Sequence, residues 1–191
     1  TVKNNYGKEV IFHVKENPLM TKIEIEGNTK ISDEMIKEQL KLKEGELFNL
    51  EFLRKDIEEV KTLYEAQGYM MVKVSIESPE KEGRVKFNIS EAILEEILVT
   101  GNIKTRDYVI LRELELYPGE VLSKRVLQED LRRVYNLNYF TTLNPNFLPG
   151  NEYNHHKLLI NVEERQTNGT FSFGGGYSPT TGFSLFSDLY W

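Results

Sequence analysis

Cysteine is absent from the 191 residues, which excludes disulfides and thiolate metal sites and leaves the redox compartment open. No apolar run approaches the roughly 18 residues of a membrane-spanning helix, and no signal peptide is visible. The opening residues Thr1 to Lys8 read as the middle of a longer chain, a fragment or the product of a cut precursor. A basic stripe is also lacking. Lys and Arg total 24 against 30 Asp and Glu, the net charge is −6, and the two signs are interleaved. A surface that tracks nucleic-acid phosphates is therefore not expected, and no paired aromatics on a basic strand suggest RNA binding. Histidine occurs three times. His155 and His156 are neighbours, and adjacent strand residues face opposite ways, so they do not chelate one metal together.

What the chain does contain is a repeat. Shifted by 74 positions, it aligns with itself without a gap from Gly27 to Leu63, with 13 of 37 positions identical. The identities include Gly27-Asn28 with Gly101-Asn102, Asp33 with Asp107, Gly45-Glu46 with Gly119-Glu120, and Asp56 with Asp130. Most are turn residues and periodic apolar residues, which build folds. No His or Ser repeats beside the two aspartates, so they read as exposed or capping carboxylates and not as catalytic groups. A period of this length suggests stacked modules that present surfaces. It argues against a soluble α/β enzyme or ligand-binding protein, which would need a pocket of clustered titratable groups.

Each repeat reads β-α-α-β-β. In the first, Ile23 and Ile25 alternate with charged residues as a half-buried strand, and Gly27-Asn28 ends it. Ser32 caps a short helix with Met35, Ile36 and Leu40 on its apolar face. After the Lys43-Glu44-Gly45 turn, Asn49 caps a second helix whose stripe is Leu50, Leu53, Ile57, Val60 and Tyr64, with Gly68 as a left-handed stop. Met70 to Ile76 forms the second strand, Pro79 to Gly83 a hairpin loop, and Val85, Phe87 and Ile89 the inward side of the third. The second repeat has a helix from about Asp107 to Leu116, a capping Ser123, a stripe of Leu127, Leu131 and Val134, and a last strand with Leu158, Ile160 and Val162. Val10, Phe12 and Val14 match that last strand, so residues 1–17 read as the closing hairpin of an earlier, truncated repeat. The expected divisions are 1–17, 18–91, 92–164 and 165–191.

From Arg165 the charges almost vanish. Phe171, Phe173 and Tyr177 alternate with Ser172, Gly174, Gly176 and Ser178. Past a Ser178-Pro179-Thr180-Thr181-Gly182 turn, Phe183, Leu185, Leu189 and Trp191 continue the alternation. This is the pattern of two strands opening a membrane β-barrel, with those seven large residues toward lipid. Gly174-Gly175-Gly176 leads into no helix and no Lys-Ser/Thr, so a phosphate loop is not indicated.

Modules of this order, with Gly27-Asn28 after the first strand, Gly45-Glu46 between the helices and Gly68-Tyr69 ending the second, resemble POTRA domains. The passage from Val162 to Ser178 is similar to the join between the last POTRA domain and the first barrel strand in BamA-type outer-membrane assembly proteins. The resemblance covers nearly the whole chain. It implies an α+β fold of tandem modules, each a three-stranded mixed sheet with two helices on one face, followed by the first strands of an outer-membrane β-barrel. It implies a non-enzymatic scaffold of a Gram-negative envelope, anchored in the outer membrane, with its modules in the periplasm. Its partners would be unfolded outer-membrane proteins and accessory lipoproteins, with no cofactor, nucleotide or nucleic acid. The related two-partner-secretion transporters, which capture one exported protein and usually carry two such modules, are the alternative. Two positions depart from the family. Pro118 stands where an acidic residue often contacts a lipoprotein, and Asn138 replaces the usual helix-ending glycine. The family's arginine-glycine loop has no counterpart in these residues.

Two surfaces follow from this reading. A sheet edge can take an extended peptide by β-augmentation, and the expected edge is Met70, Met71, Val72, Lys73, Val74, Ser75 and Ile76, with the soft Met71 outward. The counterpart, Thr141 to Phe147, contains Pro145 and should be the poorer template. Between the repeats, Glu91, Ala92, Ile93 and Leu94 run on with no Gly/Pro/Ser linker, which predicts a short, rigid joint with Ile93 and Leu94 packed between modules.

Overall fold

The computed structural model describes residues 2–3, 9–10, 16–77, 83–166 and 170–190. Phe12, Val14, the loop from Pro79 and Trp191 lie outside the described residues. Strands β1 (Val2–Lys3) and β2 (Glu9–Val10) pair antiparallel.

Module A contains β3 (Lys22–Glu26), α1 (Asp33–Gln39), α2 (Leu50–Ala66), β4 (Lys73–Glu77) and β5 (Arg84–Ser90). Module B contains β6 (Ile93–Thr100), α3 (Asp107–Leu111), α4 (Lys124–Asn136), β7 (Phe140–Pro149) and β8 (His155–Glu164). The sheet orders are β3-β5-β4 and β6-β8-β7. In each, the central strand runs parallel to the first strand of its module and antiparallel to the second. The sheets are thus mixed, and each closes on one apolar core. Ile23, Ile25, Ile36, Leu53, Val60, Tyr64, Val85 and Phe87 fill the first; Leu94, Ile110, Leu127, Val134, Phe140, Leu158 and Ile160 fill the second.

The repeated asparagines and aspartates are latches. Gly27 and Gly101 take φ of +84° and +88°, and a β-carbon at either would run into the carbonyl of Ile89 or Val162. The next residue, Asn28 or Asn102, donates to the carbonyl three residues on and to Asp33 or Asp107, closing the loop before the helix. Asp56 and Asp130 are not exposed: both are fully buried. Asp56 accepts from the amides of Lys41 and Leu42 at 2.7 and 3.0 Å, and Asp130 from those of Glu115 and Leu116 at 2.9 and 3.0 Å. Each carboxylate holds down the loop between its two helices.

Those bonds account for a second difference from the sequence reading. The first helix of module B stops at Leu111 and not near Leu116, because the amides of Glu115 and Leu116 are turned to Asp130 instead of along the helix. Two stripe residues also face outward, Leu50 and Met35, since the inward line of α2 runs through Leu53, Asp56, Val60 and Tyr64. Module B's long helix is shorter than module A's, 13 residues against 17. Asn138, at φ +61°, supplies the left-handed stop that Gly68 gives at +86° in module A.

The last element is a hairpin of β9 (Thr170–Ser178) and β10 (Gly182–Tyr190). Its register sets Phe171 opposite Leu189, Gly175 opposite Leu185 and Tyr177 opposite Phe183. Directly opposed residues share a face, so Phe171, Phe173, Tyr177, Phe183, Leu185 and Leu189 form one apolar face, and all six are exposed. Across the sheet, Phe186 lies over Gly174 among serines and glycines.

Candidate peptide-binding edge and module joint

Among the described residues strand β4 has one neighbour, β5, so its other side is an edge. The edge is shorter than the sequence indicates. Met70, Met71 and Val72 are not part of the strand, which begins at Lys73. Met71 is at φ +59°, where the chain turns, outside the extended region of a regular strand. Within β4 the alternation holds: Val74 and Ile76 pack on the core of module A, while Lys73, Ser75 and Glu77 point out.

The residues ahead of the strand serve the joint instead. The Met70 amide donates to the Leu122 carbonyl at 3.2 Å, and the Lys124 amide donates to the Gly68 carbonyl at 2.8 Å. Tyr69 and Ser123 form a bridge between the modules, and Met70 packs on the core of module B. A second strap comes from the turn before β8. Asn154 is buried at φ +57°, and its side-chain amide donates to the carbonyls of Ser90 at 2.7 Å and Met71 at 3.4 Å. Lys73 lies 4.7 Å over the ring of Tyr153. The start of the β4 edge is therefore covered by module B, and among the described residues the free stretch is Val74 to Glu77.

The covalent joint divides differently from the sequence reading. Glu91 belongs to module A. It accepts from the amides of Thr29 and Lys30 at 2.8 and 2.9 Å, from the Tyr64 hydroxyl at 2.8 Å, and from the Thr29 hydroxyl. Ala92 and Leu94 are buried in the core of module B, so Leu94 is not packed between the modules, whereas Ile93 bridges Val121 and faces a cleft lined by Gly27 and Ile89 of module A. The bonds across the joint come from Gly68 to Met71 and Asn154. Sequence spacing hid them, because Asn154 lies 64 residues from Ser90. The one available signal was asparagine in a polar turn, a residue type that tolerates the left-handed region. His155 and His156 turn back to that loop, at 3.1 Å from the Tyr153 carbonyl and 3.3 Å from the Asn154 side-chain oxygen. Burial, then the nearby Lys73, lowers the pKa of His156.

Asn154→Gly keeps the backbone conformation and removes both side-chain bonds across the joint. It should cost about 1 kcal/mol. It should also broaden the distance between spin labels at Glu58→Cys and Arg132→Cys, which should be narrow and single-peaked in the parent. A broad, multi-peaked parent distribution would contradict a rigid joint. The absence of native cysteine makes the labelling specific.

Edge strand β7 differs from β4. It is ten residues long, and Pro145 and Pro149 each lack a donor. Leu127, Leu131, Pro145 and Phe147 line a groove with Tyr69 and Met70, beside the joint.

The family model described as "POTRA: Surface antigen variable number repeat" matches residues 18–92 and again 92–165. The chain belongs to the POTRA family. The chain is 33% identical over 176 residues to a putative outer membrane protein assembly factor of Treponema pallidum, covering 86% of the chain and 21% of that protein. It is 27% identical to the outer membrane protein assembly factor BamA of Neorickettsia risticii, covering 95% of the chain and 26% of that protein. It thus spans about a quarter or less of these relatives. Among solved structures, POTRA1-3 of the periplasmic domain of Omp85 from Anabaena superposes with a TM-score of 0.69 at 27% identity, covering 78% of the chain and 67% of that one. The two POTRA modules therefore share fold and sequence with those of outer-membrane assembly factors.

Proposed function

We propose that this chain is a pair of POTRA modules from an outer-membrane protein assembly factor, standing in the periplasm and leading into a membrane barrel. It acts as a non-enzymatic scaffold that receives unfolded outer-membrane proteins and holds accessory lipoproteins. The barrel part of this reading is supported by the hairpin register, which gathers six large apolar residues on one exposed face. Lipid is the environment that would favour such a face. Two strands leave two open edges, so the barrel needs further strands to close.

Client reception is carried by one observation: β4 is paired on one side only, while its start is locked by the joint. An extended segment can add to Val74–Glu77 through backbone bonds, which are nearly indifferent to the client's sequence. β7 is the poorer template. Proline can stay in the ladder only with its nitrogen turned outward, so Pro145 and Pro149 remove donors from the open side.

A photo-cross-linker at Ser75 should capture an unfolded barrel protein several times more strongly than one at Glu58 on the exposed face of α2, with Asn146 on β7 in between. Equal capture at Ser75 and Glu58 would sink the edge as the receiving site.

A further inference from the structure

One end of module B is built against its own stability. The loop after the first strand reads Gly-Asn-Thr-Lys-Ile-Ser in module A, from Gly27 to Ser32, and Gly-Asn-Ile-Lys-Thr-Arg in module B, from Gly101 to Arg106. In module A the isoleucine points in, and Ile31 is 4% exposed. In module B threonine occupies that inward position, and the isoleucine has moved two residues to an outward one, where Ile103 is 91% exposed. A helix cap is lost at the same place. Ser32 accepts from the Met35 amide, whereas Arg106 stands at the start of α3 with no side-chain capping bond. Module B has thus given up an apolar core contact and a cap, and in return its tip carries a bare isoleucine and an arginine.

The tip is held rigidly. The Glu164 carboxylate accepts from the amides of Lys104 at 2.9 Å and Thr105 at 2.6 Å, and Asn102 closes the loop onto Asp107. These bonds also commit the local acids, and Glu163 is engaged by the Thr142 hydroxyl. Lys104, Arg106 and Arg165 are exposed, and among the described residues none has an ion-pair partner. Tyr139, half exposed, accepts from the Arg165 amide at the start of β7.

Topology says where this tip faces. β6 and β8 run parallel, and Phe140 pairs Glu164, so the end of β6, the start of β7 and the end of β8 lie together. From Glu164 the chain reaches β9 at Thr170 in six residues (170 − 164), a span of at most about 20 Å. The bare isoleucine is on the end of the module from which the apolar hairpin departs.

We infer that this tip is a lipid contact: Ile103 enters the edge of a phospholipid layer while Lys104, Arg106 and Arg165 meet its phosphates and Tyr139 sits at the interface. It fixes module B against the membrane beside the barrel. The inference rests on the reading of β9–β10 as the opening of a membrane barrel.

The test uses the full chain with a single environment-sensitive label at Ile103→Cys, Glu58→Cys or Phe183→Cys, each at an exposed position. Vesicles of phosphatidylethanolamine with a minority of phosphatidylglycerol carry brominated acyl chains as quencher. Labels at 103 and 183 should shift to the blue and be quenched severalfold more than the label at 58. Adding Lys104→Glu and Arg106→Glu should reduce quenching at 103 and leave 183 unchanged. Quenching at 183 with none at 103 overturns the lipid contact while leaving the barrel reading intact. No quenching at 183 overturns both. A label at 103 that responds only to an added accessory protein, and not to lipid, replaces the membrane with a protein partner.

Discussion

Asp130→Ala should lower the stability of module B by about 3 kcal/mol, a drop of roughly 12 °C or more in its melting temperature for a domain of this size. The reason is arithmetic on hydrogen bonds. The carboxylate is fully buried and is the acceptor for the amides of both Glu115 and Leu116. Removing it leaves two amides without partners in a loop packed on the core, at about 1–3 kcal/mol each, partly relieved if water enters. Arg133, which pairs with the same carboxylate, keeps Glu115 and the Glu113 carbonyl but loses this contact. Asp130→Asn keeps one acceptor oxygen but turns an N–H toward an N–H, so it should recover less than half the loss. Asp56→Ala should do the same to module A, where the carboxylate holds Lys41 and Leu42. Urea unfolding of each variant checks this. A loss below about 0.5 kcal/mol, the range of ordinary surface substitutions, would mean that the carboxylate is not a latch.

Glu91→Ala is the second large effect, also expected near 3 kcal/mol, and it carries a pH signature. Glu91 gathers the amides of Thr29 and Lys30 and the hydroxyls of Thr29 and Tyr64. Burial raises its pKa, but the bonds from Thr29, Lys30 and Tyr64 outweigh burial and hold the carboxyl below its ordinary value. On the other side of the bond, burial and then Glu91 push the Tyr64 hydroxyl up, so it remains a donor. A depressed carboxylate pKa gives stability that is present above the unfolded value, near 4.3, and lost as pH falls through the folded value. Module A should therefore weaken as pH drops below about 4, and Glu91→Gln should flatten that part of the profile. Glu164 is the counterpart in module B, holding Lys104 and Thr105. Among the described residues no tyrosine hydroxyl bonds to it, because α4 is 13 residues long against 17 for α2 and ends before the turn that carries Tyr64 in module A. Melting curves from neutral to acid pH report both. A Glu91→Gln profile parallel to that of the parent would contradict the assignment.

How far the fold could be read in advance depended on the range of the interaction. Alternation at Ile23/Ile25 and Val85/Phe87/Ile89 placed strands correctly, because a strand's inward face is written in adjacent residues. Ser32, Asn49 and Gly68 marked helix ends for the same reason. Asp56 and Asp130 were harder. Their spacing is helical and polar, and only the loop folding back onto them makes them buried. The Met70–Val72 segment alternates like a strand, yet the bond from the Met70 amide to the Leu122 carbonyl, more than fifty residues away, and that from Lys124 to the neighbouring Gly68 pull it into the joint. Of the expected peptide edge, Val74 to Ile76 lies in β4, and of the expected joint, Glu91 is bonded to module A while Ala92 and Leu94 enter the core of module B. Asn154 left almost no trace in the sequence. The outward Ile103 becomes conspicuous only when the two loops are compared with their burial known.

The central claim is that the open side of β4 receives extended client strands. Amide hydrogen exchange of the full chain, with and without an alternating barrel-strand peptide, tests it most directly. The expected result is peptide-dependent slowing strongest at the outward amides between Val74 and Glu77, weaker on β7 and absent from α2. Protection at β7 or on the helices, with β4 exchanging at its free rate, would contradict it.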